Sequence, residues 1–218
     1  MKNNKRFIVS FILNILVFLL VVTGTIVMMV DKGDDLVARD ITVFKYFTFQ
    51  SNVFMALVAA VFGYYQFLII RGKKEKIPQI LGIFNLISTN AVTLTFAVVI
   101  AFLVPQYGFI SMYKSANLFF HFLVPVAAMV NYLFFTESES YRLAFTPLAV
   151  VPCFLYGIVY FSVVVALNAY GDPKIDFYFF GKNGPVVGAI SFLIVLIVAY
   201  GLALALYFTN RLSFKKSK

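Results

Sequence analysis

Apolar residues run along this chain in six long blocks, Phe7–Val30, Val43–Ile70, Ile77–Val104, Ser115–Phe135, Ala144–Leu167 and Gly184–Thr209, separated by short polar stretches. A helix needs about 20 apolar residues to cross a bilayer, and each block is at least that long. No block contains an acidic residue, and the one basic residue, Lys45, lies near an end, where its ammonium can reach the interface. No block alternates apolar and polar residues with period two, so a membrane β-barrel is excluded. The expected fold is all-α: a polytopic bundle of six transmembrane helices forming a single transmembrane domain over residues 1–218. The basic first segment is followed by an apolar run too long for a signal-peptide core and without a small-residue cleavage site. Phe7–Val30 is therefore expected to be the retained first helix.

Composition agrees. Of 218 residues, 62% are hydrophobic and 12% charged, against about 45–50% and about 25% in soluble domains. The net charge of +9 changes the picture only through its placement. With the N-terminus taken as cytoplasmic, twelve cations and three acids fall inside and six of each outside. All the excess positive charge is then cytoplasmic, as the positive-inside rule requires. This predicts both termini in the cytoplasm and an integral protein of the bacterial-type cytoplasmic (plasma) membrane. No basic surface remains for nucleic acid. The lone cysteine, Cys153, lies in an apolar run and reads as a small core residue.

Polar residues inside apolar spans are costly and ask for a partner or a purpose. In the second block Thr48, Ser51 and Asn52 share a face at i, i+3, i+4 spacing. The fourth holds the sole histidine, His121, with Asn117 one turn before it and Pro125, expected to loosen the backbone, one turn after. Counted from Asp40 and Lys114, Thr48 and His121 lie at similar depth, roughly 10–12 Å below those charges. The third block carries Asn85, Ser88, Thr89, Asn90, Thr93 and Thr95, and the fifth Tyr156 and Tyr160. A threonine hydroxyl becomes a nucleophile when a base such as imidazole removes its proton. Ser51, Asn52, Asn90, Asn117, Tyr156 and Tyr160 are candidates to bind substrate or donate to a developing oxyanion. The plain alternative is that these groups bond their own helices or join neighbouring ones. One His, one Cys and no carboxylate in the spans exclude a zinc site and carboxylate-dyad chemistry, so no metal or cofactor is expected. The aromatic run Phe177–Phe180, between turn signals Asp172-Pro173 and Asn183-Gly184, reads as a segment at the interface or over a cavity mouth.

Lys45-Tyr46-Phe47-Thr48 with Gln50-Ser51-Asn52, then His121-Phe122-Leu123-Val124-Pro125, then Phe177–Phe180 and Gly184-Pro185 resemble, in order and spacing, the androgen-induced (FAR-17a-like) family of six-pass membrane proteins. The resemblance implies both termini in the cytosol. Some animal members are intramembrane threonine hydrolases that cleave fatty acid esters of hydroxy fatty acids. The resemblance thus implies Thr48 as nucleophile and His121 as general base, acting on a fatty acyl ester. The aromatic run here lacks the Tyr-Pro pair expected in that family, and the fourth block is richer in Phe around His121. Two other readings stay open: a non-catalytic lipid-binding protein or transporter with a polar pocket in the outer leaflet, and a structural membrane protein. The oligomeric state is not written in the residues.

Overall fold

The computed structural model describes residues 4–30, 40–136 and 142–215. Among these there is no strand, and six helices are long and apolar enough to cross a membrane. They are α1 (Lys5–Val30), α2 (Phe47–Ile70), α3 (Gln79–Tyr107), α4 (Ala116–Phe135), α5 (Leu143–Ala166) and α6 (Pro185–Phe214). The protein is an all-helical integral membrane protein. Several charges used in the topology count (Lys2, Asp31, Lys32, Asp34, Asp35, Arg39, Glu137, Glu139, Lys216 and Lys218) lie outside the described residues. The Arg6 guanidinium lies over the Phe214 ring, 5.3 Å from its centroid. That end of the bundle, called the terminal end here, therefore holds the start of α1 and the end of α6.

The arrangement follows from where the polar residues sit. In α3, 56% of the most apolar stretch is buried, against 17–39% in the other five helices. α3 is thus the central helix, packed against α2, α4, α5 and α6. It is also the helix richest in amides and hydroxyls; Asn85, Ser88, Thr89, Asn90, Thr93 and Thr95 are all buried. A polar group facing lipid finds no partner, so the polar helix goes inside and its apolar neighbours face the bilayer.

Proline shapes the helices. In α4 the Val124 N–H bonds the Phe119 carbonyl, one residue further back than in an α-helix, giving a π-turn over Phe119–Leu123. Pro125 has no N–H to offer the His121 carbonyl, so the ladder is already broken there and the wide turn takes up the register. The same pattern precedes Pro105, where Val104 N–H bonds the Val99 carbonyl. The first eight residues of α5, Leu143–Val150 with Pro147 inside, wind as a 3-10 helix.

One boundary differs from the sequence reading. The second block does not enter the membrane as α-helix at Val43: Asp40–Lys45 is a 3-10 turn, Tyr46 is extended (φ −91°, ψ 132°), and α2 begins at Phe47. The break is held from outside the segment, because the Tyr178 hydroxyl accepts the Phe47 N–H at 3.1 Å and Tyr156 donates to the Lys45 carbonyl at 2.6 Å.

α1 packs closely on the wide turn of α4. A Cβ on Gly24 would stand 2.7 Å from the Phe119 Cβ, an atom no rotamer change can move away. Gly24→Ala should therefore cost about 1–3 kcal/mol by forcing the helices apart. Gly201→Ala, where nothing lies within 4 Å, should be neutral or stabilising by up to about 1 kcal/mol. Thermal unfolding of both variants in detergent checks the contrast.

Candidate functional site

The far end of the bundle, opposite the chain ends, holds Thr48, His121, Tyr156 and Tyr160. Thr48 is the second residue of α2 and half-buried. One turn on, Asn52 is wholly buried, and its amide donates to the Thr48 carbonyl at 2.7 Å and to the Phe120 carbonyl at 3.2 Å. Phe49 meets Phe120 edge to face, with ring centroids 5.7 Å apart. Asn52 and Phe49 are thus turned toward the wide turn of α4 that carries His121. Asp40–Lys45 is a 3-10 turn, so a depth counted from Asp40 does not run along one continuous α-helix.

His121 is buried, and its Nδ1 is 2.9 Å from the Met112 carbonyl. Met112 ends a short helix, Phe109–Met112, that joins α3 to α4. A carbonyl only accepts, so Nδ1 carries the hydrogen, and in the neutral ring the lone pair is on Nε2. Nε2 has no partner among the described residues. The ring is oriented by this backbone carbonyl. Asn117, the spacing candidate, donates instead to the Ser111 carbonyl at 3.5 Å.

Most of the other candidates are already engaged. The Asn90 amide donates to the Ala149 and Ala199 carbonyls at 3.0 and 3.1 Å, joining α3 to α5 and α6. Both hydrogens of the Asn52 amide are committed, as described. Ser51 bonds the Thr48 carbonyl at 3.0 Å and Thr95 Oγ1 at 3.1 Å. Tyr156 donates to Lys45, and Tyr160 donates to Asp176 in a very short hydrogen bond. Other donors stand beside Thr48. The first N–H groups of a helix have no intrahelical acceptor. Phe47 N–H goes to Tyr178 and Gln50 N–H to the Tyr46 carbonyl. The N–H groups of Thr48 and Phe49 have no acceptor outside their own helix among the described residues.

Ser51, Tyr156 and Tyr160 line a different space. A cleft of about 620 Å³ runs between α2 and α5, walled by Phe47 and Phe54 on one side and by Leu155 and Val159 on the other. Neither Thr48 nor His121 is among its lining residues. The segment between α5 and α6 closes its far end with Ile175 and Phe177, as the aromatic run suggested. The wholly buried Asp176 anchors that segment by accepting the N–H groups of Gly171 and Gly181 at 2.8 and 3.0 Å in addition to Tyr160. Burial pushes the Tyr178 phenol up to about 12, so the hydroxyl that accepts the Phe47 N–H stays protonated into the alkaline range. With two backbone N–H groups and a phenol on one carboxylate, Asp176→Ala is expected to free the segment. The measurement is limited proteolysis between Asn168 and Asn183, which should be many-fold faster than in the wild type.

The spacing of polar residues did not point to the role of Met112, since a backbone carbonyl leaves no mark in side-chain chemistry. Nor did it point to a second polar cluster at the terminal end. Gln66 donates to Ser10 at 2.9 Å, Ser10 meets Thr136 at 3.2 Å, and Thr136 donates to Asn131 at 3.3 Å. Asn131 donates to Asn14 at 3.0 Å, and Asn14 donates back to Gln66 at 2.8 Å. The five form a closed ring joining α1, α2 and α4. In the sequence its traces are Ser10, Asn14, Gln66 and Asn131, polar residues set within apolar spans.

Comparison with protein-family models, curated proteins and solved structures yields no match to this chain.

Proposed function

We propose that this protein is an intramembrane lipid-ester hydrolase in which Thr48 is the nucleophile and His121 the general base. The substrate class is a fatty acyl ester, such as a fatty acid ester of a hydroxy fatty acid, entering sideways from the outer leaflet, with both chain termini in the cytoplasm. One observation carries the reading: the Asn52 amide ties the Thr48 turn of α2 to the Phe120 carbonyl beside His121. Two others support it. The Met112 carbonyl holds Nδ1, so Nε2 is the nitrogen able to take a proton. The N–H groups of Thr48 and Phe49 lie at the start of α2, where negative charge is stabilised.

The chemistry follows in two steps. Thr48 Oγ1 attacks the ester carbonyl while Nε2 takes its proton, and the carbonyl oxygen becomes an oxyanion facing the first turn of α2. Collapse expels the alcohol, which receives the proton from His121, and leaves an acyl ester on Thr48. Water, deprotonated by His121, then releases the fatty acid. Asn90, Asn117, Tyr156 and Tyr160, with their donors engaged elsewhere, take structural roles in this scheme.

A fluorophosphonate probe tests it. The wild type should be labelled covalently at Thr48, Thr48→Ala not at all, and His121→Ala at least about tenfold more slowly. A wild-type chain modified nowhere, or equally in all three forms, removes the proposal.

A further inference from the structure

We infer that the cleft between α2 and α5 is a binding site for an anionic phospholipid, which places its phosphate at Lys45 and one acyl chain between the two helices. The inference does not rest on Thr48 or His121, which lie outside the cleft's lining.

Three features point to this occupant. The first is shape. A cleft of about 620 Å³ is within the roughly 300–1,000 Å³ typical of ligand sites. Its α5 wall includes Leu155 and Val159, 56% and 63% exposed. Those side chains face the bilayer, so the cleft is open along its side. A chain can slide in from the leaflet while the rest of its molecule stays among other lipids, which suits a two-chain lipid better than an enclosed small molecule.

The second is charge at the right depth. Lys45 lines the cleft and immediately precedes Tyr46 and the first turn of α2, where the apolar stretch meets the headgroup region. Its ammonium donates to the Lys174 carbonyl at 3.3 Å and lies 5.2 and 4.8 Å from the ring centroids of Tyr46 and Phe177. No carboxylate pairs with it among the described residues. A carbonyl and two ring faces position the cation without neutralising it. An anion at its remaining donors would complete the site.

The third is that the rest of the cleft offers an incoming head group little else. Tyr156 and Tyr160 have donated their hydroxyl hydrogens, and the Gln50 amide donates to the Phe44 carbonyl at 2.6 Å. The walls are aromatic and aliphatic, and the uncommitted polar contact is the Lys45 charge. Selectivity should accordingly follow head-group charge rather than head-group hydrogen bonding.

The test is native mass spectrometry of the full chain in detergent, offered phosphatidylglycerol, phosphatidylcholine of the same chains, or palmitate. The wild type should retain one phosphatidylglycerol, with at least fivefold preference over phosphatidylcholine. Lys45→Gln should bring the two lipids level. Val159→Trp, at an exposed position that leaves the core untouched, should fill the cleft and abolish retention of both. Thr48→Ala should retain phosphatidylglycerol like the wild type. Equal retention of the two phospholipids by the wild type, undiminished retention by Val159→Trp, or displacement of phosphatidylglycerol by equimolar palmitate would each overturn the assignment.

Discussion

Hydrolysis of a branched fatty acyl ester by the purified chain should fall to the no-protein rate in Thr48→Ala, and kcat should drop about 10²–10⁴-fold in His121→Ala. The two losses differ in kind. Without Thr48 no acyl-enzyme forms, so the covalent route closes. Without His121 the hydroxyl remains, and attack proceeds slowly with solvent as base. Thr48→Ser keeps the nucleophile and should retain measurable turnover. Geometry adds a contrast that residue spacing does not. Since the Met112 backbone carbonyl orients the imidazole and Asn117 bonds elsewhere, Asn117→Ala should change kcat less than about twofold, as expected of a group with no part in proton transfer. Turnover assays across the four variants decide the matter; equal rates in wild type, Thr48→Ala and His121→Ala would end the hydrolase reading.

Gln66→Leu should destabilise the bundle by about 2–4 kcal/mol, the largest effect expected of any single polar substitution at the terminal end. In the ring Gln66 is donor to Ser10 and acceptor from Asn14. All five side chains are at most 6% exposed. Read with Ser10 donating to Thr136, the hydrogen bonds run in one direction around the circle, so each polarises the next. Leucine removes two bonds at once and leaves the Asn14 amide without its acceptor, in a place that water does not reach. Single interhelical hydrogen bonds in membranes average only about 0.6 kcal/mol, because a freed group often finds another partner. Here the possible partners are already engaged around the ring, so the orphan's cost dominates. Asn210 on α6 donates to the Tyr132 and Thr136 carbonyls beside it, extending the linkage to a fourth helix. The decisive measurement is the coupling. Asn14→Leu with Gln66→Leu should cost less than the sum of the single changes by about 1 kcal/mol or more. Additive losses in equilibrium unfolding would mean the ring contributes no cooperative stability.

Much of the fold is legible in the sequence. The six spans follow from block length alone, because a bilayer admits few ways to satisfy the backbone and a helix is one that a single segment achieves by itself. The central place of α3 was half visible in its run of amides and hydroxyls, since lipid leaves such groups nowhere to go but inward. The aromatic segment near residues 177–180 reads by composition as lying at the interface or over a cavity mouth, and Phe177 lines the cleft.

Other features depended on contacts between residues far apart in sequence. α2 starts at Phe47 rather than Val43 because hydroxyls from Tyr156 and Tyr178, more than 100 residues away, hold the break. Which asparagines serve as interhelical joints, as Asn90 does, depends on which carbonyls the neighbouring helices present. Ser51 and Tyr156, which side-chain chemistry grouped with Thr48 and His121, belong to a separate cleft, because a helix rotation of a few tens of degrees decides which space a side chain enters. Periodicity reports that a helix forms and which residues share its face. The neighbour toward which that face turns is set by packing the whole bundle, and that packing assigns Asn52 to α4 and Phe47 and Ser51 to the cleft.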